Sequence, residues 1–371
     1  MSLAKIIKRL KEIELVGSVK KVPFITDEPK FYGFVTYPTN QIMKKYDFDN
    51  CGHGFSDDKE IAEIASIGEC LERLCLSIPN NNLSKKEKYH EANNQYNPTN
   101  FRVYSEEQVD IREYENAVSE GEFAWIPAIN LRNQGKVDIP AQMVYTEGDF
   151  DNEVPLRGER ISTGAAFGET GTNQALKRGF YEVIERDATI SAYLRQIRPQ
   201  RIIDLGSDLD GIVRKIERYN LEVILLDITT DLGIPSVMCI TLDRTGIGCA
   251  VNIGSKSAEN YREAIKKSAL ESVQFRRGSR MNQELDKVKA VNEKEIYTME
   301  DRHLYAHPLE RINDLNYWLP TEGIVKLTEL EKREIPFKEA MAAITKRNYD
   351  ILVTDITLPE IGEGGFECIK V

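Results

Sequence analysis

The sequence predicts an α/β (α+β) fold in which helices and mixed sheets share one interior. Segments with helical apolar periodicity alternate with short apolar runs bounded by Gly, Pro or Asp, and no repeat or low-complexity tract interrupts them. The chain has 371 residues, of which 41% are hydrophobic and 29% are charged, as in an ordinary globular protein. Because a usual domain has about 100–200 residues, we expect one large domain or two interleaved domains.

The first elements of the chain are helical. A mixed Lys/Glu/Leu pattern over residues 1–16 predicts an amphipathic helix rather than a signal peptide. A longer helix is predicted over 58–76, with Ser56 or Asp57 as its N-cap and Pro79 just beyond its end.

The middle of the chain predicts strands on both sides of a glycine-rich turn. Apolar runs at 123–131 and 141–145 are typical of strands. Residues 162–171 are rich in glycine and lead into a helix predicted over 173–196. Further buried strands are predicted at 223–227, 236–241 and 248–253.

The last third of the chain continues the alternation. Ser257 is positioned to cap a helix over 258–277. The remaining predicted elements are a helix at 327–347 and strands at 350–355 and 366–371.

Charge and composition argue against several classes of protein. The net charge of −11 disfavours a general affinity for nucleic acid or for an anionic membrane. No apolar run approaches the roughly 18–20 residues that span a bilayer. The six cysteines are scattered, mostly within apolar strings, and predict reduced, buried thiols in a cytoplasmic protein.

The pattern E-x-x-E-R occurs twice, in the predicted helices at 58–76 and 173–196. Each copy puts two carboxylates and an arginine on neighbouring parts of one helical surface. These residues are Glu69, Glu72 and Arg73 in the first copy and Glu182, Glu185 and Arg186 in the second. Four carboxylates could hold hard divalent cations and two arginines could hold anionic oxygens, which predicts a Mg-nucleotide site. The alternative is a solvated face with Glu–Arg pairs, each worth only about 0.2–0.5 kcal/mol.

The residues that surround the first copy of the motif have small side chains. Ala62, Ala65 and Ser66 share a side of the helix with Glu69. Small residues beside carboxylates leave room for another group to approach the helix.

Two further segments are weaker candidates. Residues 162–171 could bring backbone amides to a phosphate before a helix N-terminus, although their spacing fits no common phosphate-binding motif. Glu271 and Gln274 share one face of the helix at 258–277, where an amide could read a base or ribose edge. Taken alone, these segments are better explained as a turn and a solvated helix end.

Together these segments resemble the three signature segments of the YcaO family, in the right order and spacing. The resemblance rests on Ala65-Ser-Ile-Gly-Glu69-Cys-Leu-Glu72-Arg73, on 162–166 with Glu182-Val-Ile-Glu185-Arg186-Asp187-Ala188, and on Glu271-Ser-Val-Gln274. Segments at 52–56, 125–127 and 140–145 are similar to the subgroup that forms azolines in ribosomal peptides. The match runs from about residue 50 to the end. It implies a single domain over 1–371 with an N-terminal helix and strand region before residue 50.

The resemblance implies an ATP-dependent enzyme that activates backbone amides at a non-Walker ATP site. In the family, two E-x-x-E helices bind Mg2+ ions that bridge the ATP phosphates. The metal ligands so implied are Glu69, Glu72, Glu182 and Glu185. The implied nucleotide-binding residues beside them are Arg73, Arg186, Glu271 and Gln274. A substrate Cys, Ser or Thr side chain attacks the preceding amide carbon, ATP phosphorylates the amide oxygen, and loss of phosphate gives a thiazoline or oxazoline.

Two positions depart from the usual pattern of the family. Ala65 stands where serine is usual, and Gln174 stands where glutamate is usual, eight residues before Glu182. Gln174 keeps the reach of a nucleotide-binding side chain without its charge, and Glu169 could substitute only if the turn allows it. Azoline-forming relatives continue beyond a strand like 366–371 into a proline-rich tail that reaches the active site. We therefore expect either that this tail is missing from the sequence or that the chain is a divergent member.

The sequence therefore predicts a Mg2+- and ATP-dependent peptide cyclodehydratase. Because no peptide-docking module precedes the family-like core, a separate leader-binding protein is expected to present the peptide or protein substrate. The second hypothesis is backbone thioamide formation with external sulfide and a sulfur-delivery partner, and the third is macrolactamidine formation. From another class, an ATP-binding accessory protein without chemistry of its own also fits. A homodimer is the default oligomer.

Overall fold

The computed structural model describes residues 2–48, 50–79, 83, 86–156, 161–282, 296, 299–319 and 321–371. The helices are α1 (Leu3–Glu12), α2 (Asn40–Tyr46), α3 (Lys59–Ser77), α4 (Ile111–Glu120), α5 (Gln174–Leu194), α6 (Ser207–Glu217), α7 (Tyr261–Asn282), α8 (Met299–Tyr305), α9 (Leu327–Leu330), α10 (Phe337–Lys346) and α11 (Pro359–Glu363). The strands are β1 (Val16–Lys21), β2 (Tyr32–Pro38), β3 (Gly52–Ser56), β4 (Glu87–Lys88), β5 (Glu122–Phe123), β6 (Trp125–Asn130), β7 (Gly135–Pro140), β8 (Ala165–Glu169), β9 (Gln200–Ile203), β10 (Leu221–Asp227), β11 (Ser236–Asp243), β12 (Val251–Ser257), β13 (Ile324–Lys326), β14 (Leu352–Asp355) and β15 (Phe366–Lys370). The predicted α+β fold is confirmed.

The first sheet, β1-β2-β3, lies directly against α3. Glycines make this close approach possible. A Cβ atom on Gly54 would lie 1.9 Å from the carbonyl oxygen of Ala62, and one on Gly52 would lie 2.1 Å from that of Ser66. The small side of α3 therefore receives a strand of the protein itself. The helix is capped by Asp58, whose carboxylate accepts a hydrogen bond from the Ile61 amide at 3.0 Å, so both predicted caps were wrong.

The second sheet has the order β12-β11-β10-β9-β13, which makes β12 an edge strand that packs against α7 and α5. The strands predicted at 223–227 and 236–241 are confirmed with longer bounds, and the one predicted at 248–253 is confirmed but begins at Val251 and ends at Ser257. Ser257 belongs to β12, where its hydroxyl lies 2.6 Å from that of Ser236, and it does not cap α7. The Asn260 side chain instead accepts a hydrogen bond from the Glu263 amide at 2.8 Å.

The third sheet has the order β7-β6-β14-β15-β8. The glycine-rich segment contributes β8 to it, so the predicted turn is partly a strand. The strand predicted at 141–145 was wrong, since Ala141–Met143 is a 3-10 turn that follows β7. The helix predicted at 327–347 is interrupted, because Pro336 stands at the N-cap of α10 and cannot donate a helical hydrogen bond.

A buried ionic network joins the segment between β1 and β2 to α7. The Arg276 guanidinium lies 2.9 Å from a carboxylate oxygen of Glu28 and 2.8 Å from one of Asp243. All three side chains are at most 3% exposed. The network fixes the helix that carries Glu271. Within the described residues, no helix is long and apolar enough to cross a bilayer.

Candidate functional site

The carboxylate of Glu69 on α3 is held by two donors. The backbone amide of His53 donates to Glu69 Oε2 at 2.8 Å, and Arg73 Nη2 lies 2.5 Å from Glu69 Oε1. Arg73 also donates from Nη1 to the Asn50 side chain at 2.5 Å and to the Cys51 carbonyl at 2.7 Å. Glu69 and Arg73 therefore form the i, i+4 ion pair that the alternative explanation of this helix face assumed, and residues at the start of β3 orient it.

Glu72 faces other carboxylates. Burial raises the pKa of Glu72 well above its usual value, and the charges of Glu182 and Glu69 raise it further, while Arg73 and Lys370 oppose the shift. Glu72 on α3 and Glu182 on α5 therefore lie within range of one another's charge. That the two motifs together form one metal site stays a prediction.

The glycine-rich segment contacts Glu182 on α5. The amide of Gly164 donates to Glu182 Oε2 at 3.0 Å, and Arg186 lies 3.7 Å from Glu182 Oε1. Gly164 has a φ of +86°, a conformation that strongly favours glycine. Burial raises the pKa of Glu182, against the charges of Lys256 and Arg186. In this structure the Gly164 amide thus binds a carboxylate rather than facing an open site.

Glu185 is 2% exposed and pairs with a lysine from β12. Lys256 Nζ lies 2.7 Å from Glu185 Oε2, and the Ser255 hydroxyl is 3.4 Å from Glu185 Oε1. The Ser255 amide donates to Glu271 Oε2 on α7 at 3.0 Å. Burial and the charge of Glu185 raise the pKa of Glu271 to about 7, against Lys256 and Arg186. Strand β12 therefore links the second motif to the third.

We call Glu69, Glu72, Glu182, Glu185 and Glu271 the carboxylate cluster, because the charges of these residues raise one another's pKa values. Among the residues that the structure describes, no three His, Cys, Asp or Glu side chains are already gathered as metal ligands. The chemistry of the cluster nevertheless fits a hard divalent cation. Buried carboxylates that repel one another are stabilised by a cation placed among them, and oxygen is the donor that Mg2+ prefers.

Residues 52–371 match the model of a protein family described as YcaO cyclodehydratase, ATP- and Mg2+-binding. The chain belongs to the YcaO family. The resemblance of the signature segments is thereby confirmed.

Solved structures agree with this assignment at the level of the fold. The YcaO protein from Methanopyrus kandleri, bound with AMPPCP and Mg2+, superposes with a TM-score of 0.71 at 16% identity, over 100% of this chain and 89% of that one. A heterocyclase in complex with substrate and cofactor gives 0.77 at 18% identity, over 100% of this chain and 51% of that one. A chain of the E. coli microcin synthetase McbBCD complex superposes with a TM-score of 0.64 at 15% identity, over 95% of this chain and 85% of that one.

Curated relatives match a shorter stretch of this YcaO chain. An uncharacterized protein in the tfuA 3' region of Rhizobium leguminosarum bv. trifolii is 30% identical over 126 residues. The match covers 32% of this chain and 29% of that protein, so the chain spans less than a third of its length.

Four further positions singled out by the sequence are Gln174, Gln274, Glu169 and Ala65. Gln174 is exposed in the first turn of α5, and Gln274 lies half-buried one turn beyond Glu271 on α7. Their nucleotide contacts stay predictions. Glu169 is engaged elsewhere, because its carboxylate pairs with Arg9 of α1 at 2.8 Å, so it does not substitute for the charge missing at Gln174. Ala65 is exposed.

Sequence reasoning missed two groups at this site. Lys256 lies in a strand whose other residues are mostly buried. A lysine within a buried strand is the sequence feature that could have indicated a charged partner. Cys51 Sγ lies 3.3 Å from His53 Nε2, beside the backbone atoms that bind Glu69 and Arg73. Cys51 is partly exposed and the other five cysteines are buried, so the prediction of buried thiols is correct for those five.

Proposed function

We propose that this YcaO chain is an enzyme that uses ATP to activate backbone amides of a peptide or protein substrate. The observation that carries the proposal is the electrostatic coupling of carboxylates on α3, α5 and α7, two of which pair with Arg73 and Arg186. An isolated solvated helix face would not couple the charges of residues on three helices. Membership of a family described as ATP- and Mg2+-binding supports the same reading.

The roles follow from the chemistry of the side chains. We assign Glu69, Glu72, Glu182 and Glu185 as the residues that would hold Mg2+. When bound, Mg2+ neutralises charge on a triphosphate and on its leaving group. Arg73 and Arg186 can donate paired hydrogen bonds to phosphate oxygens. Glu271 and Gln274 would orient the nucleotide.

We propose cyclodehydration as the reaction. A Cys, Ser or Thr side chain loses its proton as it adds to the preceding amide carbon, and the amide oxygen takes the γ-phosphoryl group of ATP, which releases ADP. The phosphorylated oxygen then leaves as phosphate while the amide nitrogen loses its proton, which forms the C=N bond of the azoline. Cations around the cluster stabilise the charge that develops on phosphate oxygens. No side chain is assigned as the general base.

A partner that presents the substrate is part of the proposal. The McbBCD assembly and the heterocyclase with bound substrate, which share the fold, support a peptide substrate and a multi-protein system. Thioamide formation would use the same ATP site with external sulfide as nucleophile. A cytoplasmic location and a homodimer stay predictions from the sequence.

Calorimetric titration of Mg2+ with AMPPCP, a non-hydrolysable ATP analogue, tests the site. We expect wild type to bind, and Glu72→Gln and Glu182→Gln each to bind at least about tenfold more weakly, a loss of about 1.4 kcal/mol. Glu63→Gln is the matched control, because Glu63 is also on α3 but pairs with Lys11 at 2.5 Å, outside the cluster.

Two results would contradict the assignment. One is a folded wild-type chain that binds no nucleotide. The other is an equal affinity for Mg2+ with AMPPCP in wild type and in the Glu72→Gln, Glu182→Gln and Glu63→Gln variants. Mass spectrometry of a candidate precursor peptide, incubated with ATP and the partner, then identifies the product. Loss of water indicates an azoline or an amidine, and replacement of oxygen by sulfur indicates a thioamide.

A further inference from the structure

A positively charged side chain already lies within the carboxylate cluster. Lys256 Nζ forms its ion pair with the buried Glu185 carboxylate and also interacts with the charges of Glu271 and Glu182. The three carboxylates come from two helices, and the lysine comes from the edge strand β12. Lys256 therefore offsets part of the negative charge of these carboxylates.

The backbone of β12 fixes this arrangement. Ser255, the preceding residue, binds Glu271 through its amide and Glu185 through its hydroxyl. Gly254 lets β12 approach α7 closely, since a Cβ atom there would lie 2.2 Å from the Ser268 carbonyl oxygen. The strand thus holds Lys256 at a defined position. The lysine side chain is 28% exposed, so its long methylene stem has a route toward solvent.

A divalent cation and this ammonium compete for the same oxygens. The attraction between a buried carboxylate and an ammonium at hydrogen-bond distance is strong in the reduced dielectric of such a site. A cation that binds Glu185 must replace that attraction. Phosphates that arrive with the cation offer the displaced ammonium another anionic partner, whereas a free ion offers none.

We propose that Lys256 is a placeholder cation, which neutralises Glu185 and Glu271 in the nucleotide-free protein and has to leave before Mg2+ can bind Glu185. The inference rests on the proposed function, because it assumes that Glu185 is a ligand of the nucleotide-bound metal. Its consequence is that Mg2+ alone binds weakly and that the ion enters together with its nucleotide. Lys256 is a positioning residue in this scheme, and its effect is on metal binding rather than on the reacting atoms.

The test is calorimetric titration of Mg2+ alone, without nucleotide, at pH 8. Lys256→Met is expected to bind Mg2+ at least about tenfold more tightly than wild type, because the competing charge is gone. Lys177→Met is the matched control, since Lys177 forms a 3.0 Å ion pair with Glu259 outside the cluster. Its affinity for Mg2+ should equal that of wild type. Unchanged or weaker binding by Lys256→Met would overturn the inference.

A second variant covers the case in which Lys256→Met does not fold. Lys256→Gln keeps a polar, hydrogen-bonding side chain without the charge, so the same tightening is expected. Titration of Mg2+ with AMPPCP into wild type separates the two hypotheses. Absence of binding there contradicts the proposed function. Binding there, with no tighter Mg2+ binding in a folded neutral variant, contradicts the placeholder role alone.

Discussion

Glu271→Gln should stabilise the nucleotide-free protein in a pH-dependent way. Burial, with the charge of Glu185, raises the pKa of Glu271 to about 7 from the usual 4.5. The folded chain therefore keeps this proton at pH values where the unfolded chain has lost it. Glutamine removes the titration and retains an oxygen that accepts the Ser255 amide, whose hydrogen bond to Glu271 is 3.0 Å long.

The sign and size follow from proton linkage. Because the pKa of Glu271 is raised on folding, its contribution to stability is fully present below pH 4.5 and is lost as the pH rises through about 7. Above that range the ionised carboxylate costs the folded state roughly 3 kcal/mol. The variant should therefore gain up to roughly 3 kcal/mol of unfolding free energy at pH 8 and little at pH 4.5.

Urea denaturation of both proteins at pH 4.5 and pH 8 measures the difference. Glu263→Gln is the control on the same helix, where Glu263 pairs with Lys267 at 2.5 Å on the surface. The control should lose about 0.5 kcal/mol or less at pH 8. An equal gain for Glu271→Gln at both pH values, or no gain at pH 8, would refute the reasoning.

Two further predictions concern the scaffold around the site, and the same denaturation assay tests both. Gly54→Ala should cost at least about 2 kcal/mol, because the new methyl group would meet the Ala62 carbonyl of α3 at 1.9 Å. Gly211→Ala, in a helix with open space around it, should instead gain about 0.5–1 kcal/mol, and equal effects of the two changes would contradict the packing of β3 on α3. Arg276→Met should cost about 3–5 kcal/mol by leaving the buried Asp243 without its cation, and a cost below about 1 kcal/mol would show that the network is dispensable.

The arrangement within each E-x-x-E helix could be predicted, because the spacing alone puts both carboxylates and the arginine on one helical surface. The pairs Glu69–Arg73 and Glu182–Arg186 form at the helical separation that the sequence specifies. What brings the helices together is non-local, and the sequence reports it only through the family pattern.

Other features depend on contacts between distant segments, which local patterns do not contain. The small side of α3 was predicted to admit another group, and that group is β3, because Gly52 and Gly54 remove the side chains that would keep the strand away. The Lys256 interaction was missed since a single lysine in a strand gives no indication of the charge opposite it. The segment at 141–145 looked like a strand because its residues are apolar, but it packs as a turn.

The position of β15 has a consequence for biosynthesis. This strand, the last in chain order among the described strands, lies inside its sheet, where Cys368 pairs with Phe167 of β8 and the Val371 amide donates to the Gly164 carbonyl at 2.8 Å. During translation, the edge of β8 that pairs with β15 therefore stays unpaired until Phe366–Lys370 has been synthesised. Such long-range pairing slows folding and exposes the nascent chain to aggregation. We expect the turn at Gly164, whose amide binds the Glu182 carboxylate, to become ordered only after translation of β15. This chain is therefore a candidate substrate of chaperones that shield unpaired strand edges.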